Sequence, residues 1–314
     1  MNATPLLTVV IPAYNEVESI PLLLKEIAEV CDRKGIAYEA IIIDDGSTDG
    51  TFSQVEAATA VDARVRGVRF RRNCGKAAAL SEGFRRSRGT YVITMDADLQ
   101  DNPAEIPSII KMLAEGADLV SGWKKKRYDP LHKTLPSKLF NAVTGKVAGL
   151  KLHDFNCGLK GYRSEVIKSI DLYGELHRYI PVLAHWNGFK VEEKVVEHRA
   201  RKYGKSKYGW ARLFNGFFDL VTLVFLHRYT QRPLHLFGTI GLLFTMLGMA
   251  ILAGFAIDWA ITRDLHVRPL MLGGIASMIV GIQFVSIGLL GEMINNRLLV
   301  RDIPVARTVG VGGA

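Results

Sequence analysis

Continuous apolar runs recur along the first part of the chain, at residues 7–11, 40–43, 65–70, 91–95 and 118–121. They do not alternate with polar residues, so each predicts a strand buried on both faces, as in a parallel sheet covered by helices. Between them, residues 19–34, 51–60, 75–87 and 103–115 have helical character. Strand and helix in regular alternation predict an α/β domain with a mainly parallel sheet. In "QDNPAEI", Asn102 can cap a helix and Pro103 suits its first position, so the loop before it lies at the carboxyl end of a central strand. Open α/β sheets bind their ligands at that end.

From about Leu234 onward the pattern changes to long apolar stretches with few charges. Two candidate transmembrane helices, 233–258 and 269–294, are each long enough for a roughly 30 Å hydrocarbon core. The short link 259–268 makes them a hairpin, and residues 295–314 form a tail on the same side as the large domain. Arg228, Arg232, Arg297 and Arg301 flank the hairpin, against Arg263 and Arg268 in the link, which Asp258 and Asp264 offset. That asymmetry predicts a cytoplasmic large domain. Gly238, Gly241, Gly248, Gly254, Gly273, Gly274, Gly281 and Gly288 would allow close helix packing. Residues 209–232, with the aromatic-rich "WARLFNGFFDLVTLVFLHRY", predict an amphipathic helix in the membrane interface, a third span being the competing reading. Residues 1–208 form the expected catalytic domain. No charged n-region or cleavage site precedes the first apolar run, so no signal peptide is expected.

The formal net charge is +9, with basic clusters at 124–127 and 199–207. Beside a membrane segment, this balance points to anionic lipid and phosphate ligands and away from nucleic acid. Cys31, Cys74 and Cys157 are scattered and odd in number, which indicates neither a disulfide framework nor a metal site. His132, His153 and His177 lack ligand-like spacing and read as surface or packing residues.

The strand at 91–95 ends in Asp96-Ala97-Asp98. Two carboxylates one residue apart, around a small residue, suit one oxygen-ligated Mg2+ or Mn2+ that also holds a diphosphate. "VVIPAYNE" and "IIIDDGSTDGT" bring polar groups to the same sheet edge: Tyr14 could stack on a base, and Glu16 and Asp45 could accept hydrogen bonds from a base or ribose. In "RRNCGKAAAL", Gly75-Lys76 at a helix start resembles a phosphate site, without the spacing of a nucleoside-triphosphate loop.

These segments, in this order, resemble the GT-A fold of glycosyltransferase family 2. With "SGWKKKRYDP", "LPSKLFN", "HDFNCGLKGYR" and "HRARKYGKSKYGW", the chain is similar to polyprenyl-phosphate glycosyltransferases, relatives of dolichol-phosphate mannose synthase. The two-span tail resembles bacterial glucosyltransferases of O-antigen modification.

The resemblance implies a GT-A nucleotide-sugar-binding domain followed by interface helices and two transmembrane helices, in the bacterial inner membrane. It implies an inverting, metal-dependent hexosyltransferase with a nucleotide-sugar donor, a polyprenyl phosphate acceptor and a homo-oligomeric state, a tetramer among the candidates. Pro12, Tyr14, Glu16, Asp45 and Lys76 would line the donor, with Asp96, Ala97, Asp98 and Gln100 at the metal and diphosphate. Arg201 and Lys207 would close over the donor phosphates, and Arg127 and Ser137 would approach the acceptor phosphate. Asp154 matches the family's catalytic base. A phosphate monoester is largely dianionic at neutral pH, so the alternatives for Asp154 are orienting the acceptor or stabilising positive charge that develops on the sugar. The expected donor is UDP-glucose and the acceptor undecaprenyl phosphate. The alternatives are GDP-mannose or another UDP-sugar, or a non-catalytic lipid-binding scaffold on the same fold. A processive polysaccharide synthase is disfavoured, since no Gln-x-x-Arg-Trp motif is present.

Overall fold

In the computed structural model, residues 5–125, 141–172, 174, 176–199, 233–263 and 268–298 are described. The chain divides into two compact units, Met1–Asp219 and Leu220–Ala314.

In the first unit the strands are β1 (Leu7–Ala13), β2 (Tyr38–Asp44), β3 (Val65–Arg69), β4 (Tyr91–Thr94), β5 (Leu119–Trp123), β6 (Lys160–Arg163) and β7 (Val191–Val195). Among the described residues they form one sheet, in the order β3-β2-β1-β4-β6-β5-β7. All neighbours pair in parallel except β6, which is antiparallel to both β4 and β5. The helices are α1 (Ser19–Lys34), α2 (Thr51–Val61), α3 (Lys76–Arg86), α4 (Ile106–Ala114), α5 (Ser164–Lys168) and α6 (Ile180–Trp186). This is the expected α/β architecture, with one antiparallel strand that the hydrophobic pattern does not announce.

The local reasons are legible. β1 and β2 are continuous apolar runs because helices cover both faces of the sheet. On α1, Ile20, Leu23, Ile27 and Val30 recur at helical spacing and are buried. Gly35 ends that helix at φ 63°, its amide bonding back to Asp32 and that of Ile36 to Cys31. Asn102 caps the 3-10 turn Pro103–Glu105 that leads into α4, as the sequence predicts.

Register sets the site. Ala13 pairs with Asp44, so the loops after β1 and β2 start level with one another. Thr94 pairs with Val10 on one side and Lys160 on the other, and Lys160 also faces Ser121. The antiparallel β6 therefore starts where β4 and β5 end. It delivers the segment before it, residues 154–159, to the same carboxyl edge.

The second unit contains α7 (Pro233–Thr262) and α8 (Pro269–Leu298), each long and apolar enough to cross a membrane. The apolar spans within them are Pro233–Thr262 and Pro269–Ile294. The helices are antiparallel and very close: a Cβ at Gly241 would lie 2.6 Å from the Gly281 carbonyl, and one at Gly248 2.6 Å from that of Gly274. Ser277 Oγ donates to the Phe244 carbonyl across the pair at 2.8 Å. Of the expected glycines, Gly254 and Gly273 face open space and Gly238 meets only its own helix.

Candidate active site

The loops after β1 and β2 are knitted together. The Asn15 amide donates to Ser47 Oγ at 2.9 Å, Asn15 Oδ1 accepts from the Thr48 amide at 2.9 Å, and the Glu16 amide donates to Thr51 Oγ1 at 2.8 Å. Asn15 adopts φ 56°, a left-handed conformation its short amide tolerates. The Glu16 carboxylate accepts from Ser19 Oγ at 3.0 Å, at the start of α1. Pro12 closes β1 opposite Ile43, and Tyr14 is half-buried just beyond it.

Asp45 is buried, and its two carboxylate oxygens accept the backbone amides of Cys74 and Gly75 at 2.6 and 2.9 Å. Burial raises its pKa, and the two amides oppose that rise. The backbone amides at the start of α3 thus hold this carboxylate, and the Lys76 side chain extends from the same turn. A carboxylate there satisfies amide donors that the helix cannot satisfy internally. Asp45 thereby fixes the point from which Lys76, the first residue of α3, projects.

The Lys76 ammonium forms an ion pair and hydrogen bond with Asp96 Oδ1. Burial would push the Asp96 carboxyl upward, but Lys76, Lys124 and Lys160 together hold it down to about 2. Its backbone amide donates to Asp101 Oδ2 at 3.1 Å, and Asp101 Oδ1 pairs with Lys124 Nζ at 3.0 Å. Lys124, from the basic cluster at 124–127, is largely buried in this pair, its charge met by Asp101, a carboxylate in the interior. Asp98 turns back so that its Oδ1 accepts the Gln100 amide at 3.2 Å. The loop achieves this with Leu99 at φ 63°, a strained conformation for a non-glycine residue and one that concentrates at functional loops. Ala97 is buried between the two acids.

Gly158 lies against Asp96, where a Cβ would fall 2.5 Å from Oδ2. Two residues on, Lys160 is buried and donates to the Cys157 carbonyl. Burial lowers its pKa, with Lys76, Asp154 and Asp96 as charged neighbours. Asp154 is buried in the same cluster. Its amide donates to Glu193 Oε1 at 3.0 Å, and its Oδ1 accepts from the Asn156 amide at 3.1 Å. Glu193 also takes the His153 amide and ring, so β7 holds the loop that carries Asp154. His177 is half-buried nearby, and desolvation, reinforced by Lys76, Arg178 and Lys160, drives its imidazole down to about 2, so it is neutral.

The structure thus brings Asp45, Lys76, Asp96, Ala97, Asp98, Gln100 and Asp154 to one edge of the sheet, beside Pro12, Tyr14 and Glu16. Arg127, Ser137, Arg201 and Lys207 lie outside the described residues. Sequence reasoning missed Asp101, Gly158, Lys160 and Glu193. Only Gly158 and Lys160 left a trace, in the "NCGLKGY" stretch beside Asp154. For a divalent cation the donor set has suitable chemistry: two carboxylates with oxygen donors alone. A cation already neutralises one of them, since Lys76 is there.

A family model for glycosyl transferase family 2 matches residues 8–171. The dodecaprenyl-phosphate galacturonate synthase of Rhizobium johnstonii is 37% identical over 294 residues, covering 92% of this chain and 87% of its own. The undecaprenyl-phosphate 4-deoxy-4-formamido-L-arabinose transferase of Aeromonas hydrophila is 36% identical over 304 residues, covering 94% and 90%. Among solved structures, glucosyl-3-phosphoglycerate synthase from Mycobacterium tuberculosis, in complex with Mn2+ and UDP-glucose, superposes with a TM-score of 0.55 at 20% identity. That match covers 72% of this chain and 79% of the other, and shows a shared GT-A-like fold.

Proposed function

This chain belongs to glycosyltransferase family 2 and is a glycosyltransferase, and on that premise we propose that it transfers one hexose from a nucleotide-sugar to a membrane polyprenyl phosphate. The donor we assign is UDP-glucose and the acceptor undecaprenyl phosphate, with inversion at the anomeric carbon. The acceptor reading is supported by relatives named for dodecaprenyl and undecaprenyl phosphate, which align over 92% and 94% of the chain. It is also supported by two helices that would keep the enzyme in the bilayer with such a lipid. The catalytic unit then faces the cytoplasm of a bacterial cell, where nucleotide-sugars are made.

The observation that carries the proposal is the Lys76–Asp96 pair at the carboxyl edge, beside Asp98. A diphosphate needs cations, and a metal needs acids; this edge offers both. An Mg2+ or Mn2+ on Asp96 and Asp98 would neutralise charge on the departing diphosphate. The protein's own groups do the rest. Tyr14, Pro12 and Glu16 line the nucleotide side, Ala97 leaves room for the diphosphate, and Gln100 borders it. Asp45 holds α3 so that the Lys76 ammonium faces the leaving group. An oxygen of the acceptor phosphate attacks C1 as the bond from C1 to the diphosphate oxygen breaks, and nucleoside diphosphate leaves. Asp154, buried and anchored through Glu193, orients the acceptor rather than removing a proton, because the acceptor phosphate is already largely ionised at neutral pH. We assign Arg127 and Ser137 to the acceptor phosphate and Arg201 and Lys207 to the donor phosphates on the family pattern.

The test is purified full-length enzyme with undecaprenyl phosphate, Mn2+ or Mg2+, and a panel of UDP-glucose, UDP-galacturonic acid, a UDP-linked formamido-arabinose and GDP-mannose. Formation of one glycolipid, with UDP release that stops on chelation, supports the assignment. Release with another sugar moves the donor assignment, and no release with any of them removes the catalytic reading.

A further inference from the structure

Among the described residues, Asp45 and Asp96 bear on the position of the Lys76 ammonium. Asp45 anchors the start of α3 through the Cys74 and Gly75 amides, and Nζ then reaches Asp96 Oδ1. The other oxygen of Asp96 lies against Gly158. Lys124, the neighbouring cation, pairs with Asp101 at 3.0 Å. Among the described residues, Lys76 is therefore the direct cationic partner of the carboxylate expected to receive a metal.

We propose that Lys76 is an exchangeable counter-ion: it occupies Asp96 until the donor arrives, then moves onto the donor diphosphate and leaves Asp96 to the divalent cation. This rests on the reading of Asp96 as a cation ligand given above. The electrostatics follow from distance. A dication on Asp96 and an ammonium hydrogen-bonded to the same carboxylate repel each other strongly in a partly dehydrated site. Metal alone brings no anion to which the ammonium can turn. A diphosphate does, at the same edge, so metal and donor each make room for the other. Such coupling is reciprocal: the donor tightens metal binding by the factor by which metal tightens donor binding. Lys76 is thus a positioning residue that orders the assembly of the site, in addition to any contact it makes with the donor.

The experiment measures Mn2+ binding to the full-length protein in detergent by electron paramagnetic resonance, without nucleotide and with UDP or GDP. Wild type should bind Mn2+ weakly alone and roughly tenfold or more tightly with the nucleotide it accepts. Lys76→Met, which keeps length and removes charge, should bind Mn2+ alone about tenfold more tightly than wild type and lose most of the coupling. Lys76→Arg keeps the charge and should resemble wild type without nucleotide. If nucleotide-free Lys76→Met binds Mn2+ no more tightly than wild type, the exchange is overturned while the metal site stands. If wild type binds Mn2+ in neither condition, the metal reading fails and the exchange with it. Should Lys76→Met not fold, the wild-type comparison still decides, since equal Mn2+ affinity with and without nucleotide overturns the coupling.

Discussion

Gly158 backs directly onto Asp96: a Cβ at position 158 would sit 2.5 Å from Asp96 Oδ2 and 2.6 Å from its carboxyl carbon. The carboxylate is short and tied to Lys76 on its other oxygen, so it cannot yield without breaking that pair. We expect Gly158→Ala to fold with a loss of about 1–3 kcal/mol. Its kcat/KM should fall by about 100-fold, the scale that a misplacement near 1 Å produces. Steady-state kinetics and a melting curve check both, and wild-type kinetics would show that Asp96 tolerates the displacement.

Asp154→Asn is expected to leave the donor KM near wild type and to lower kcat by about 100-fold or more. The acid limb of the pH–rate profile, near the second ionisation of a phosphate monoester at about 6, should persist in the variant. Loss of that limb would assign the proton to Asp154 and return it to the role of base.

His177 links stability to pH. Its folded pKa is depressed to about 2 from an ordinary 6.5, so below 6.5 the unfolded chain takes up a proton that the folded chain refuses. Stability is thus fully present above about 6.5 and lost as pH falls through the window below it, by at most about 1.4 kcal/mol per pH unit. Melting temperatures of the detergent-solubilised protein between pH 7.5 and 5 should fall less steeply for His177→Asn than for wild type.

The three thiols should separate cleanly. Cys74 is exposed, whereas Cys31 and Cys157 are buried and burial pushes them up to about 11 and 12. N-ethylmaleimide on the native protein is expected to label Cys74 alone, with the other two labelled only after unfolding. Nucleotide with Mn2+ should slow that labelling, because the Cys74 amide is one of the two held by Asp45. Intact-mass and peptide spectra read both outcomes.

Much of this architecture was legible in the chain, for physical reasons that can be named. Strands such as 40–43 and 91–95 are buried on both faces and so are continuously apolar, and the helices between them carry one apolar stripe. A parallel sheet places every strand's carboxyl end on one edge, so Asp45 and Asp96 could be assigned to the same edge without coordinates. β6 and β7 escaped notice because "KGYR" and "VEEKV" carry charges whose burial or pairing depends on distant partners: Lys160 on the Cys157 carbonyl, Glu193 on the amides of His153 and Asp154. In α7 and α8 the sequence shows the small residues but not which of them, such as Gly241 and Gly248, face the partner helix.

The linear order of residues determined the alternation of strand and helix, the acidic loop after β4 and the two long apolar helices, because hydrophobic periodicity and turn chemistry act over a few neighbouring residues. Which cation meets Asp96 was settled only by the tertiary structure. Lys76 and Asp96 are 20 residues apart, and Gly158 reaches the acid, with Asp154 brought to the same edge, because β6 enters the sheet in the opposite direction. Contacts of that kind depend on strand order and register, which emerge from the packing of the whole domain.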